Sequence, residues 1–237
     1  MAISVAAAGI RELQTMSLAT NYHRWTYDVV RLAIGQRVLE VGGGLGSWSH
    51  LLQQRERLVT IDCDPDCTQL LRERFADAAT VRVLDADILD PALPLALAAE
   101  RLDTVVCINV LEHIEDDQRA LRHMYQALQP GGRLILLVPA HPRLYGTLDE
   151  VVGHFRRYER AGLREQVRDA GFSVQDCRYF NSVGAAGRYV IGRVRQQQET
   201  GAGQVRFYDR FVVPVLSRIE RLAPPPFGQS LIVIGGK

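Results

Sequence analysis

Lysine is nearly missing from this chain of 237 residues: Lys237 is the only one, so 27 of the 28 basic side chains are arginine. A GC-rich genome accounts for that bias without a functional reason. Long apolar runs are missing too. Nothing approaches the roughly 18–20 residues of a membrane-spanning helix. The small apolar start, residues 1–9, has no basic stretch before it, so a secretory leader is not expected. Cysteine is sparse, with four residues at 63, 67, 107 and 177, and Cys63 and Cys67 have no second pair at zinc spacing. They read as free thiols in a reducing cytoplasm. There is no internal repeat, no low-complexity tract and no recognisable nucleic-acid module. With a net charge of only +1, nucleic acid is not an expected partner.

What remains is ordinary for a soluble globular protein. Hydrophobic residues make up 47% and charged residues 23%, enough for one sizeable domain with a real core. The charge is unevenly placed. Residues 1–150 hold 14 Arg against 20 Asp and Glu, and residues 151–236 hold 13 against 7, which puts a basic surface late in the chain.

The chain turns on residues 37–48, R-V-L-E-V-G-G-G-L-G-S-W. A short apolar strand breaks into glycines at 42, 43, 44 and 46, and helix-compatible sequence resumes at Ser47. The dinucleotide fingerprint G-x-G-x-x-G wants glycine where Ser47 stands, so a nicotinamide dehydrogenase fails on spacing. Around this turn, strands are expected at 37–41, 58–61, 80–84, 102–108, 133–138, 172–180 and 230–234. Helices are expected at 18–34, 47–55, 65–75, 91–99, 115–128 and 161–170. Alternating strands and helices predict an α/β, doubly wound, Rossmann-like sheet with its ligand beyond the strands' carboxyl ends. Residues 139–158 read as a long loop, and 181–223 as a helical insertion between the last two strands.

Chemistry-bearing residues fall at the strand ends. Asp62 closes the second strand and can accept both hydroxyls of a ribose, because Asp64, just before Pro65, is the better helix cap. Asp87 can accept from an adenine amino group while Ile88 packs on the ring. Asn109 and His113 follow the fourth strand. Neither Glu112 nor His113 has zinc spacing to another ligand, so no metal is expected.

Together these motifs carry a resemblance. From V-L-E-V-G-G-G-L-G through I-D-C-D and D-A-D-I to N-V-L-E-H-I-E-D and L-Q-P-G-G-R-L, over about residues 20–138, the chain resembles class I S-adenosylmethionine-dependent methyltransferases, especially small-molecule enzymes of the ubiquinone-biosynthesis type. The resemblance implies a seven-stranded sheet with the last strand antiparallel and S-adenosyl-L-methionine along its carboxyl edge. It places Glu40 and Gly42, Gly43, Gly44 and Gly46 at the methionine half. Asp62 falls at the ribose, Asp87 and Ile88 at the adenine, and Asn109 near the sulfonium, with Cys63 and His113 as further cofactor contacts. The cofactor carries no phosphate, so no Walker lysine is needed, and its positive sulfonium suits an acidic first half.

The acceptor side is expected from the loop after strand five. It looks like a V-P-A-x-P-x-L-Y-G-x-x-D…G-H-x-R-R-Y pattern of one bacterial branch. A hydroxyl acceptor needs a base, for which His154 is read ahead of His141. Arg156 and Arg157 suit an anionic acceptor, with Tyr145, Tyr158, Tyr22 and Trp25 as further contacts. The domain reading is a helical cap at 1–36, a cofactor domain at 37–180 with 224–237, and the 181–223 insertion as acceptor lid or oligomer contact. Its arginines and aromatics allow a membrane-surface or lipid-linked acceptor, in a monomer or homodimer. The expected function is methyl transfer to a small molecule, O-methylation favoured. The rival is a non-catalytic S-adenosylmethionine-binding partner or regulator.

Overall fold

A computed structural model describes residues 5–184 and 201–237. Its strands are β1 (Arg37–Val41), β2 (Arg57–Asp62), β3 (Val81–Asp85), β4 (Leu102–Ile108), β5 (Leu128–Pro139), β6 (Ser173–Phe180) and β7 (Ser230–Gly236). They form one sheet in the order β3-β2-β1-β4-β5-β7-β6. β1 to β5 pair in parallel, and β7 runs antiparallel between β5 and β6.

Both faces of the sheet are covered, which is why its central strands read as continuous apolar runs. Strand periodicity divides them cleanly. Leu39, Val41, Val105, Cys107, Leu134 and Leu136 pack with Leu121, Met124, Leu163 and Val167. These last four sit on α6 (Asp117–Ala127) and α8 (Arg160–Asp169). Val38, Val106, Ile135 and Leu137 face the other way, against Trp25, Val30, Trp48, Leu52 and Leu216.

That second face is built by α2 (Thr20–Val30), α3 (Ser47–Leu52) and the insertion. The N-terminal region is two helices, α1 (Val5–Ser17) and α2, rather than the single helix expected over 18–34. Ala19 precedes α2 and has no side chain to cap it. Asp209 supplies the cap from far along the chain, accepting from Asn21 N (3.1 Å) and Tyr22 N (2.8 Å). The insertion carries α9 (Ala202–Phe207), a π-helical turn (Tyr208–Val212) and α10 (Val213–Leu222). Arg188, Tyr189, Arg193 and Arg195 lie outside the described residues.

Two further boundaries differ. β5 begins at Leu128, because Leu102 pairs with Leu128 before a register shift leads to Thr104 and Arg133. The Gln129-Pro130-Gly131-Gly132 segment therefore belongs to an irregular strand entry. The loop at 139–158 contains α7 (Thr147–Val151), with α4 (Pro65–Arg74) and α5 (Leu93–Ala96) completing the helices the site draws on.

Candidate functional site

Past Val41 the backbone enters the left-handed region at Gly42 (φ 77°) and Gly44 (φ 50°), which glycine alone adopts freely. Space is as tight as conformation: a Cβ on Gly42 would lie 2.3 Å from a Val110 methyl, and one on Gly43 2.3 Å from Thr60 Oγ1. Gly42 N and Gly43 N both donate to Ile61 O. Asp62 then ties two turns together, its Oδ2 accepting from Gly44 N (2.8 Å) and its Oδ1 from Asp64 N (3.0 Å). Asp64 caps α4 through Asp66 N, as its place before Pro65 predicted. Asp62 thus shapes the glycine turn while keeping a lone pair on each oxygen for a ligand.

The turn forms one wall of a cavity of about 1000 Å³ at the carboxyl ends of the strands. Glu40, Gly42, Gly43, Gly44, Asp62, Cys63, Asp87, Ile88, Asn109 and His113 all line it. Gly46 does not; it precedes α3, facing Leu71 and Phe75. Glu40 is 2% exposed and accepts from Ser49 Oγ (2.6 Å), and burial pushes its carboxyl up to about 7.

The acceptor-side expectations divide sharply. Tyr22, His154 and Arg157 line the cavity. Trp25 is core, its ring 4.1 Å from that of Phe180. His141 is turned away by a left-handed backbone (φ 61°) and stacks on Tyr179 at 5.0 Å, so it is no base for this cavity. Tyr145 donates its hydroxyl to His154 O. Tyr158 donates to Leu111 O and Asp117, and Arg156 pairs with Asp117 at 2.9 Å. Arg157 is buried with its guanidinium on Asp149 (Nε and Nη2 both 2.9 Å). The arginine pair expected to bind an anion is therefore committed to internal carboxylates.

The loop's contribution is an oriented histidine. Asp149, fully buried, accepts from Gly146 N at the start of α7 and lies 2.9 Å from His154 Nδ1. That contact places an N–H of His154 on Nδ1 and turns Nε2 toward Glu112. Phe155 N donates to Glu112 O, which docks the loop against the turn after β4. His154 thereby meets His113, with ring centroids 4.6 Å apart, and its Nε2 is 4.0 Å from Glu112 Oε1. Burial pushes Glu112 up to about 8, while desolvation and the His154 ring press His113 down to about 4.

Sequence spacing keeps these residues apart, but the fold brings one ligand atom each of Glu112, His113 and His154 within 4.8 Å of one another. Spacing sees only neighbours in the chain, whereas the loop delivers His154 from a distance. Asp149 and Glu112 are functional candidates that received no role from sequence; the D-x₄-H-x₂-R spacing was the available signal for Asp149.

The residues present fit a cationic nucleoside cofactor. The wall holds acidic side chains and no lysine, and the glycine turn leaves its backbone accessible. Trp48 Nε1, a donor only, and His23 Nδ1 are buried in the wall with no partner.

Comparison with known proteins agrees. A methyltransferase-domain family model matches residues 12–176. The ubiquinone/menaquinone biosynthesis C-methyltransferase UbiE of Klebsiella pneumoniae is 27% identical over 137 residues, which is 56% of this chain and 54% of that protein. The chain thus spans about half the length of the curated relatives it matches. An S-adenosylmethionine-dependent methyltransferase from Mesorhizobium loti superposes with a TM-score of 0.61 at 14% identity, covering 90% of this chain and 98% of that one. The N-methyltransferase NodS from Bradyrhizobium japonicum, solved with S-adenosyl-L-homocysteine, gives 0.58 at 15% identity, covering 91% and 85%. At such identities the likeness is one of fold.

Proposed function

This chain belongs to the methyltransferase-domain family, and we propose that it transfers the methyl group of S-adenosyl-L-methionine to a hydroxyl-bearing, apolar small molecule. The observation that carries this reading is the His154 ring, oriented by buried Asp149, in the wall of the cavity the glycine turn opens into. The cofactor supplies an electrophilic methyl on a positive sulfonium. The protein's part is alignment, worth roughly 7–11 kcal/mol of barrier, and removal of the acceptor's proton by His154 Nε2. Glu40 and Gly42–Gly44 hold the methionine half, Asp62 and Cys63 the ribose, Asp87 and Ile88 the adenine, and Asn109 and His113 the region of the sulfonium. Incubation with methyl-labelled cofactor and a panel of apolar phenols and alcohols tests this, with label in the acceptor and S-adenosyl-L-homocysteine released. The same base would ionise a phenol for attack through its ring carbon, and the UbiE relatives are named as C-methyltransferases. NMR of the product separates O- from C-methylation.

Glu40 makes the cofactor site pH-dependent. Its carboxyl titrates near 7 in the free protein, and a cationic amino group binds only its ionised form. Below that value binding must first expel a proton; above it the carboxylate is ready. Cofactor affinity should therefore rise as pH climbs from about 6 to about 7.5, with proton release at the lower end. Calorimetry in buffers of different ionisation enthalpy reads both, and a flat affinity over that window contradicts the role.

The acceptor's apolar character follows from the cavity wall, where Ile10, Leu13, Met16, Val205 and Val212 gather. The same insertion carries Phe207, Phe211, Val215, Ile219 and Leu222 at helical spacing, each more than half exposed. Exposed Arg206, Arg210, Arg218 and Arg221 each stand one residue before an apolar one. Among its described residues, the acids face inward: Asp209 caps α2, and Glu220 accepts from Asn181 N and Ser182 N. An apolar stripe beside a basic one suits an anionic membrane surface, from which a lipid-borne acceptor is reached. Sedimentation with phosphatidylglycerol-containing vesicles should carry the protein down, pure phosphatidylcholine much less, and Ile219→Glu should abolish it. A stable dimer that fails to bind vesicles and dissociates on Ile219→Glu contradicts this.

A further inference from the structure

We propose that Glu112, His113 and His154 form a binding site for a divalent first-row transition-metal ion. Two imidazoles and one carboxylate converging at the edge of an open cavity are a ligand set such ions take while keeping positions for substrate. All three ligand atoms lie within 4.8 Å of one another. His154 already has its other nitrogen engaged, which is how metal-binding histidines are held: its Nδ1 sits on Asp149 at 2.9 Å.

Glu112 provides the independent observation. Its side chain is 1% exposed, it lines the cavity, and its Oε2 has no hydrogen-bond partner. A buried carboxyl oxygen without a partner is costly, and no role assigned above uses it. A cation supplies the missing partner. Nitrogen and oxygen ligands sit about 2.0–2.2 Å from such an ion, hence about 3 Å from each other. The 4.0 Å between His154 Nε2 and Glu112 Oε1 would close by about 1 Å on binding. Magnesium is the poorer candidate, since it prefers oxygen ligands.

The inference rests on the methyl-transfer reading in one respect: the ion's open positions face the cavity assigned to the acceptor. An acceptor hydroxyl coordinated there loses its proton to cavity water, the O–H electron pair staying on oxygen. His154 Nε2, occupied by the ion, then no longer takes that proton itself.

The test is Co²⁺ titration of the full chain after chelator treatment, followed by visible absorption and calorimetry, with S-adenosylmethionine binding measured on the same preparation. One Co²⁺ per chain is expected. His113→Ala, at the exposed edge of the cluster, should keep the thermal midpoint and weaken Co²⁺ by more than about tenfold; Glu112→Gln should do likewise. No Co²⁺ uptake by protein that binds S-adenosylmethionine overturns the metal site and leaves the methyl-transfer reading standing. Co²⁺ uptake without S-adenosylmethionine binding supports the metal site and overturns the cofactor assignment instead. Co²⁺ affinity unchanged in both variants puts the ion elsewhere and overturns the proposal.

Discussion

Alanine at Arg157 is expected to destabilise the protein by about 3–5 kcal/mol, the scale of breaking a buried ion pair from one side. Arg157 and Asp149 are both buried, and the guanidinium meets the carboxylate through two nitrogens at 2.9 Å. Removing the arginine leaves a negative charge in the interior beside Glu112, itself already pushed up by burial. Arg157 also donates to Ala140 O at the end of β5, so the loop loses an anchor as well as a charge. Urea unfolding measures the loss. A decrease below about 1 kcal/mol would mean the pair is solvated in solution. The neighbouring Arg156 makes the contrast: it is partly exposed, and Arg156→Ala should cost far less.

The second large effect concerns turnover. His154→Ala should lower kcat by about 10²–10⁴, the usual contribution of a positioned proton acceptor, and leave cofactor affinity unchanged. Cofactor affinity is spared because the glycine turn, Asp62 and Asp87 lie on other elements. Wild-type turnover in this variant would remove His154 from the chemistry, whether as base or as metal ligand. Asp149→Asn bears on the same point more gently. It keeps the shape beside His154 Nδ1 but removes the charge, and the expected loss is smaller.

The meeting of the glycine turn, Asp62 and Asp87 at one edge was legible because it is written in local sequence. A strand end followed by Gly42–Gly46, then Asp62 and Asp87 at the next two strand ends, needs only the β-α alternation to bring them to one edge. β1 and β4 fell where their apolar runs said, at 37–41 and 102–108. The cavity wall around His154 depends on contacts that span the chain. His141 and His154 look alike in sequence, yet one is turned outward by a left-handed backbone and the other is docked inward through Phe155 and Glu112. Arg156 and Arg157 read as anion binders until Asp117 and Asp149 take them. Asp209 acting as the cap of α2 joins residues 187 and 188 positions apart, which no local pattern signals.

The most direct measurement is calorimetric titration with S-adenosylmethionine, S-adenosylhomocysteine and NAD at pH 7.5. One equivalent of S-adenosylmethionine and of its demethylated product should bind, and NAD should not. Binding of NAD with neither sulfur nucleoside would contradict the assignment of this cavity.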